Sequence, residues 1–258
     1  YSFAPSSRWS RLFAAQPEIL SYLEQVSRDY GIEPLITFNT ELKNARWDER
    51  RHLWVLDTSQ GQDLARTVIF ATGPITEPQT PSLPGLESFK GEMFHSAQWN
   101  HDYDLTGKRV AAVGTGASAI QFVPRIAPQV EQLDLYQRTP PWVLSKPDRR
   151  MTKIEKLLFK TLPMTQKLFR GGIYWWMESR VLGLAVDPRA MKLAELYGRH
   201  FIRRNIKDPE LRKKVTPDYT IGCKRILMSD EYYPSLNRDN VAVLTDGIRE
   251  VKAHSIVD

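Results

Sequence analysis

The run Val110-Ala111-Ala112-Val113-Gly114-Thr115-Gly116-Ala117-Ser118-Ala119 satisfies G-x-G-x-x-A between a short apolar stretch and a helical one. That placement gives each position a task. Gly114 permits a tight turn, Gly116 lets the backbone approach a pyrophosphate, and Ala119 allows the helix to pack close to the strand. Thr115, Ala117 and Ser118 complete a turn whose N–H groups at the helix start suit an anion. The pattern reads as a dinucleotide site, with a plain tight turn as the alternative. The end of the next strand reads Gln137-Arg138-Thr139-Pro140. An acidic side chain there would hold a ribose 2′-hydroxyl, whereas a guanidinium pairs with a 2′-phosphate. The residues therefore favour NADPH over NADH, an exposed arginine at a strand end being the alternative.

Two further clusters carry polar chemistry. Phe89-x-Gly91-x-x-x-His95-x-x-x-Trp99 precedes the glycine turn, and Gly222-Cys223-Lys224-Arg225 sets two cations side by side after a glycine. A histidine among aromatics is more often structural than catalytic, and paired cations usually belong to a solvated loop. The five histidines lack ligand spacing and one cysteine cannot build a thiolate site, so no metal is expected. No nucleophile-elbow pattern is present.

Helical and strand-like segments alternate around these motifs. Residues 16–30 have helical apolar spacing ended by Gly31, and residues 36–42 and 53–58 look like strands. Thr67-Val68-Ile69-Phe70 reads as a buried strand ended by Ala71-Thr72-Gly73. Prolines make residues 74–88 an extended linker. A strand over 108–113, the glycine turn, a helix over 120–126 and a strand over 133–137 form a β-α-β unit. Residues 151–215 predict three or four helices, broken at Pro163, Gly171-Gly172, Pro188 and Pro209. Residues 241–245 and 255–257 look like strands returning to a sheet. The fold class is α/β with a helical insertion.

At 258 residues, with 41% hydrophobic and 26% charged residues, the chain is long enough for a sizeable core and is neither collagen-like nor disordered. The single Cys223 excludes an internal disulfide and favours a reducing, cytoplasmic setting. The longest apolar run of the basic middle, Ile173-Tyr174-Trp175-Trp176-Met177, is too short for a bilayer span. Peripheral membrane contact by that run is an alternative to its packing against the rest of the chain. Residues 146–214 hold 18 basic and 7 acidic side chains, so the whole excess of +6 sits there. A solvated helical face, a polyanion groove or the neighbourhood of a phosphate-bearing cofactor would each account for it. The start, Tyr1-Ser2-Phe3-Ala4-Pro5, has no initiator Met and reads like the middle of a longer protein.

The motifs in order identify a resemblance. Phe89-x-Gly91-x-x-x-His95-x-x-x-Trp99, with Tyr1-Ser2-Phe3, Phe38-Asn39-Thr40-Glu41, Trp47-Asp48-Glu49, Ala71-Thr72-Gly73, the glycine turn, Gln137-Arg138-Thr139-Pro140, Gly222-Cys223-Lys224-Arg225 and Tyr232-Tyr233-Pro234, resembles the Baeyer–Villiger monooxygenases. These are class B flavoprotein monooxygenases of the flavin-containing monooxygenase superfamily. Trp99 stands where the N- and S-oxygenating relatives usually carry Tyr or Phe. Asn100 departs from the family's usual Pro or Asp.

The resemblance implies two dinucleotide-binding (Rossmann-like) domains, an NADPH domain inserted in an FAD domain that is incomplete here. Residues 1–88 would be FAD-domain part and linker, 89–225 the NADPH domain with the helical insertion 151–215, and 226–258 the return to the FAD domain. Arg138, Thr139 and Lys224 would hold the 2′-phosphate. Arg225 would be the active-site arginine, with a second phosphate clamp as its alternative, and Leu42 would meet the FAD adenine through main-chain groups. The implied reaction inserts one oxygen atom of O₂ next to a ketone carbonyl through a C4a-peroxyflavin, giving an ester or lactone. Its partners would be a small-molecule ketone and O₂, with no nucleic acid. An N- or S-oxygenating monooxygenase and an inactive NADPH-binding paralogue remain the alternatives. The family's FAD fingerprint and active-site aspartate would lie upstream of Tyr1, so the isolated chain is expected to hold no FAD and to turn over no ketone.

Overall fold

The computed structural model describes residues 1–73, 77–179, 181 and 191–258. These divide into two compact units, Tyr1–Glu77 with Asp148–Pro163, and Pro78–Pro147 with Met164–Asp258.

The first unit opens on helix α1 (Gln16–Asp29), which has Pro17 in its first turn and Glu18 accepting from the Ser10 amide and hydroxyl, both at 2.7 Å. Strands β1 (Leu42–Asp48), β2 (Leu53–Thr58) and β3 (Gly61–Ala65) form an antiparallel meander in that order. Trp47 and Trp54 face each other across β1 and β2, ring centroids 5.7 Å apart. The strand expected over 36–42 starts only at Leu42. Phe38 and Asn39 make a turn in which Asn39 has φ +54°, and the Thr40 hydroxyl donates to the Phe38 carbonyl. The expected buried strand at 67–70 does not form, and Ile69 and Phe70 are 86% and 61% exposed. A strand buried on both faces needs neighbours to pair with, and among the described residues none pairs there.

Residues 148–163 join this unit. Asp148 accepts from Arg11 Nε at 2.7 Å, and Arg11 bridges Arg150. Helix α3 (Lys153–Thr161) follows, started by a capping box in which Thr152 and Glu155 satisfy each other's backbone N–H groups.

The second unit is built on a parallel sheet. Strand β4 (Arg109–Val113) leads through the glycine turn to helix α2 (Ala119–Ile126) and strand β5 (Gln132–Tyr136). Ala119, Ile120, Val123 and Ile126 form the buried stripe of α2, and Leu133 and Leu135 are fully buried on β5. Strand β6 (Val143–Leu144) comes next, and helices α4 (Pro163–Glu178), α5 (Lys192–Asn205) and α6 (Pro209–Val215) follow, giving with α3 four named helices among the described residues of the expected helical region. Helix α4 runs straight through Gly171 and Gly172; only their weak propensity opposes it there. The break expected at Pro188 and the start of the linker at 74–76 lie outside the described residues. The aromatic run 173–177 stays largely exposed on α4.

Beyond α6 come strand β7 (Leu227–Met228), which pairs in parallel with β6, helix α7 (Tyr232–Ser235) and strand β8 (Val241–Leu244). Strand β8 pairs in parallel with β5, giving the order β4-β5-β8. The apolar Val-Ala-Val-Leu run finds its backbone partners on the open edge of β5. Strands β9 (Glu250–Lys252) and β10 (Ser255–Val257) form an antiparallel pair. No helix among the described residues is long and apolar enough to cross a membrane.

Candidate nucleotide-binding site

The glycine turn sits at the carboxyl end of β4, where an open parallel sheet binds its ligands. Gly114 has φ +98°, and its N–H donates to the Tyr136 carbonyl at 2.9 Å, closing the turn against β5. A Cβ built on Gly114 or on Gly116 would meet no atom within 4 Å, so both glycines border open space. The amides of Gly116, Ala117 and Ser118 find no acceptor among the described residues, and the first turn of α2 carries no acidic side chain. Three unpaired donors thus cluster at a helix N-terminus, next to two glycines that border open space. Ala119 is buried, as close helix–strand packing requires.

The loop after β5 is tied to that turn. The buried Thr115 hydroxyl donates to the Thr139 carbonyl at 3.2 Å. Gln137 is 2% exposed; its N–H donates to the Leu244 carbonyl and its Nε2 to the Lys214 carbonyl, each at 2.8 Å. Arg138, the next residue, points its charge into solvent. A third segment arrives from after α6. Tyr219 donates its hydroxyl to the Pro140 carbonyl at 3.1 Å, and its own carbonyl accepts from Trp142 Nε1 at 3.0 Å. The Lys224 ammonium lies over the Tyr219 ring, 4.7 Å from its centroid. The structure thus links the expected turn residues to Thr139 directly and to Lys224 through Tyr219.

Arg225 is exposed and makes no hydrogen bond or ion pair among the described residues. It shares a loop with Lys224, after Gly222 at φ +100°. Leu42 lies in the first unit, exposed at the head of β1 beside a register irregularity.

The residues of the Phe89 to Trp99 motif make packing and capping contacts. Trp99 packs edge-on to Phe94 at 5.0 Å and against Phe122 of α2 at 5.5 Å, buttressing the glycine-turn helix. His95 caps a short 3₁₀ turn, its Nδ1 accepting from the Ala97 amide at 3.1 Å. A Cβ on Gly91 would lie 2.6 Å from the Phe89 ring, so that position fits only a residue without a side chain unless the ring moves. Gln137, Lys214 and Tyr219 are contributors that sequence reasoning missed. Gln137 carried a faint signal, a polar residue at the end of an apolar strand. Tyr219 carried none beyond its turn-like neighbours Pro217 and Asp218.

Comparison with known proteins agrees with this geometry. The chain is 54% identical over 259 residues to a Baeyer-Villiger monooxygenase of Pseudomonas aeruginosa, covering 100% of this chain and 49% of that protein. It superimposes on an oxidized steroid monooxygenase bound to NADP with a TM-score of 0.85 and 31% identity, covering 100% of this chain and 57% of that one. It also matches OTEMO in complex with FAD and NADP at a TM-score of 0.83 and 29% identity, covering 97% and 55% of the two chains. The chain thus spans about half the length of the curated relatives it matches. Its fold follows theirs, an α/β architecture of two Rossmann-like domains with one inserted in the other, of which this chain covers a part. Residues 10–206 match the flavin-binding monooxygenase-like family. With that match spanning most of its length, the chain belongs to the flavin-binding monooxygenase-like family.

Proposed function

We propose that this chain supplies the NADPH-binding part, and a portion of the FAD-binding part, of a cytoplasmic Baeyer–Villiger monooxygenase that converts a ketone to an ester or lactone with O₂. The observation that carries the reading is the placement of Arg138. A guanidinium stands where a 2′-hydroxyl-binding enzyme needs a carboxylate, on a loop bonded to an open glycine turn. The residues present fit an NADPH molecule. The free amides of Gly116 to Ser118 suit its pyrophosphate, and Arg138, Thr139 and Lys224 suit its 2′-phosphate. In this assignment residues 1–88 serve the flavin, with Leu42 at its adenine. The NADPH segment begins at 89 and is extended past 225 by β8. Arg225 is permanently charged and unpaired, and would stabilise negative charge developing on the substrate oxygen. Bound FAD supplies oxygen activation and bound NADPH supplies the hydride.

Titration of the chain with NADPH and NADH tests the first half. NADPH is expected to bind at least about 10-fold tighter, and Arg138→Ala to lose that margin while NADH binding holds, since a charge-assisted pair contributes roughly 1.5–3 kcal/mol. Equal affinity for the two nicotinamides would overturn the assignment. For the chemistry, the whole protein is offered ketones and tertiary amines under ¹⁸O₂. Label in an ester is the expected result, and label only in an amine oxide would overturn it.

A further inference from the structure

The two cations assigned to the 2′-phosphate come from different parts of the chain, Arg138 from the loop after β5 and Lys224 from the loop after α6. Both are exposed, and neither shares an ion pair with an acidic side chain among the described residues. A clamp of two unpaired cations on separate loops selects a phosphate only if something fixes their spacing, because each alone is a solvated point charge. Tyr219 touches both loops. Its hydroxyl donates to the Pro140 carbonyl at 3.1 Å, two residues beyond Arg138. Its ring carries the Lys224 ammonium at 4.7 Å. Its own backbone is anchored by the indole N–H of Trp142, a fully buried residue whose carbonyl accepts from Leu227 N–H at 2.9 Å. The ring therefore stands on the core rather than on a mobile loop.

We propose that Tyr219 is a positioning residue for the 2′-phosphate clamp, holding the Arg138–Thr139 loop and the Lys224 ammonium in one frame and thereby setting the preference for NADPH over NADH. Burial raises the phenol above its ordinary value, so the O–H remains a donor throughout the neutral range. The cation–π contact directs Lys224 without neutralising it, which leaves its charge for a phosphate. The proposal rests on the nucleotide reading above.

The test uses the full 258-residue chain and two probes, 2′,5′-ADP and 5′-AMP, followed by calorimetric titration. Lys224→Ala is the reference variant. Tyr219→Leu removes ring and hydroxyl together and is expected to weaken 2′,5′-ADP about 10-fold while 5′-AMP changes less than about 2-fold. Tyr219→Phe keeps the ring and loses the bond to Pro140; it is expected to weaken 2′,5′-ADP about 3-fold, and it carries the test alone if the leucine variant does not fold. If the unaltered chain shows no preference for 2′,5′-ADP, or Lys224→Ala leaves that preference intact, the site reading itself fails and the proposal with it. If the preference is present and Lys224→Ala abolishes it, but both Tyr219 variants keep the original ratio, Tyr219 has no positioning role. Equal weakening of both probes by the phenylalanine variant would also overturn the proposal, because a general structural role does that.

Discussion

Gly114 and Gly116 look alike in the motif, yet they serve different physical needs. Gly114 adopts φ +98°, a backbone conformation costly for any side chain, whereas Gly116 has ordinary backbone angles and borders open space. Gly114→Ala is therefore expected to cost about 1–2 kcal/mol of stability in a thermal or urea melt. Gly116→Val is expected to leave stability within about 0.5 kcal/mol, as an exposed change should. The same Gly116 variant is expected to weaken NADPH binding more than about 10-fold in the titration, because its branches fill the space a pyrophosphate would enter. Loss of stability without loss of binding at Gly116 would contradict the division.

Helix α3 and helix α5 show how element boundaries and packing were decided. Glu155 closes the capping box of α3 while the Arg149 guanidinium holds it at 2.6 Å. The bond to Arg149 first, and those to Thr152 second, lower its carboxyl from 4.5 to about 2. A depressed carboxyl stabilises the fold fully above its unfolded value near 4.5, and that contribution is lost as pH falls toward 2. An NMR titration of Glu155 should show that low midpoint, and Arg149→Ala should move it upward. In α5 the decisive residue is Gly198, where a Cβ would lie 2.9 Å from two ring carbons of Trp142 and 3.3 Å from Leu144. Trp142 is fully buried and cannot swing aside. Gly198→Ala gains about 1 kcal/mol of helix propensity and is expected to lose about 1–3 through overpacking. A denaturation midpoint at or below that of the unaltered chain is the expected outcome.

On the scale of the molecule, the two units differ in how much core they own. The second unit buries residues of β5 and α2 with Trp142, Ile202 and Ile206, while among the described residues the first has only Val26 and Val55 as buried apolar side chains. Hydrogen exchange should therefore be slowest at Leu133 and Leu135 and faster across β1, β2 and β3. Equal protection of the two sheets would show that the first unit draws on stabilisation beyond its own core. Ile69 and Phe70, exposed in the first unit, belong to the same contrast, since among the described residues no strand pairs with theirs.

The local features were legible in the order of residues alone. The glycine turn between strand and helix, helix α1 and the cation after β5 all follow from residue type and short-range spacing, which fix backbone angles without help from distant residues. The strand at 67–70 and the start of the strand near 36 misread the same kind of signal, because an apolar run states a preference for burial but not the identity of a pairing partner. Tertiary structure alone decided that 148–163 packs with the first unit, that β8 extends the sheet of the glycine turn, and that Tyr219 stands between Pro140 and Lys224. Those outcomes join residues far apart in the chain, and their energy exists only once the intervening chain has folded to bring them together.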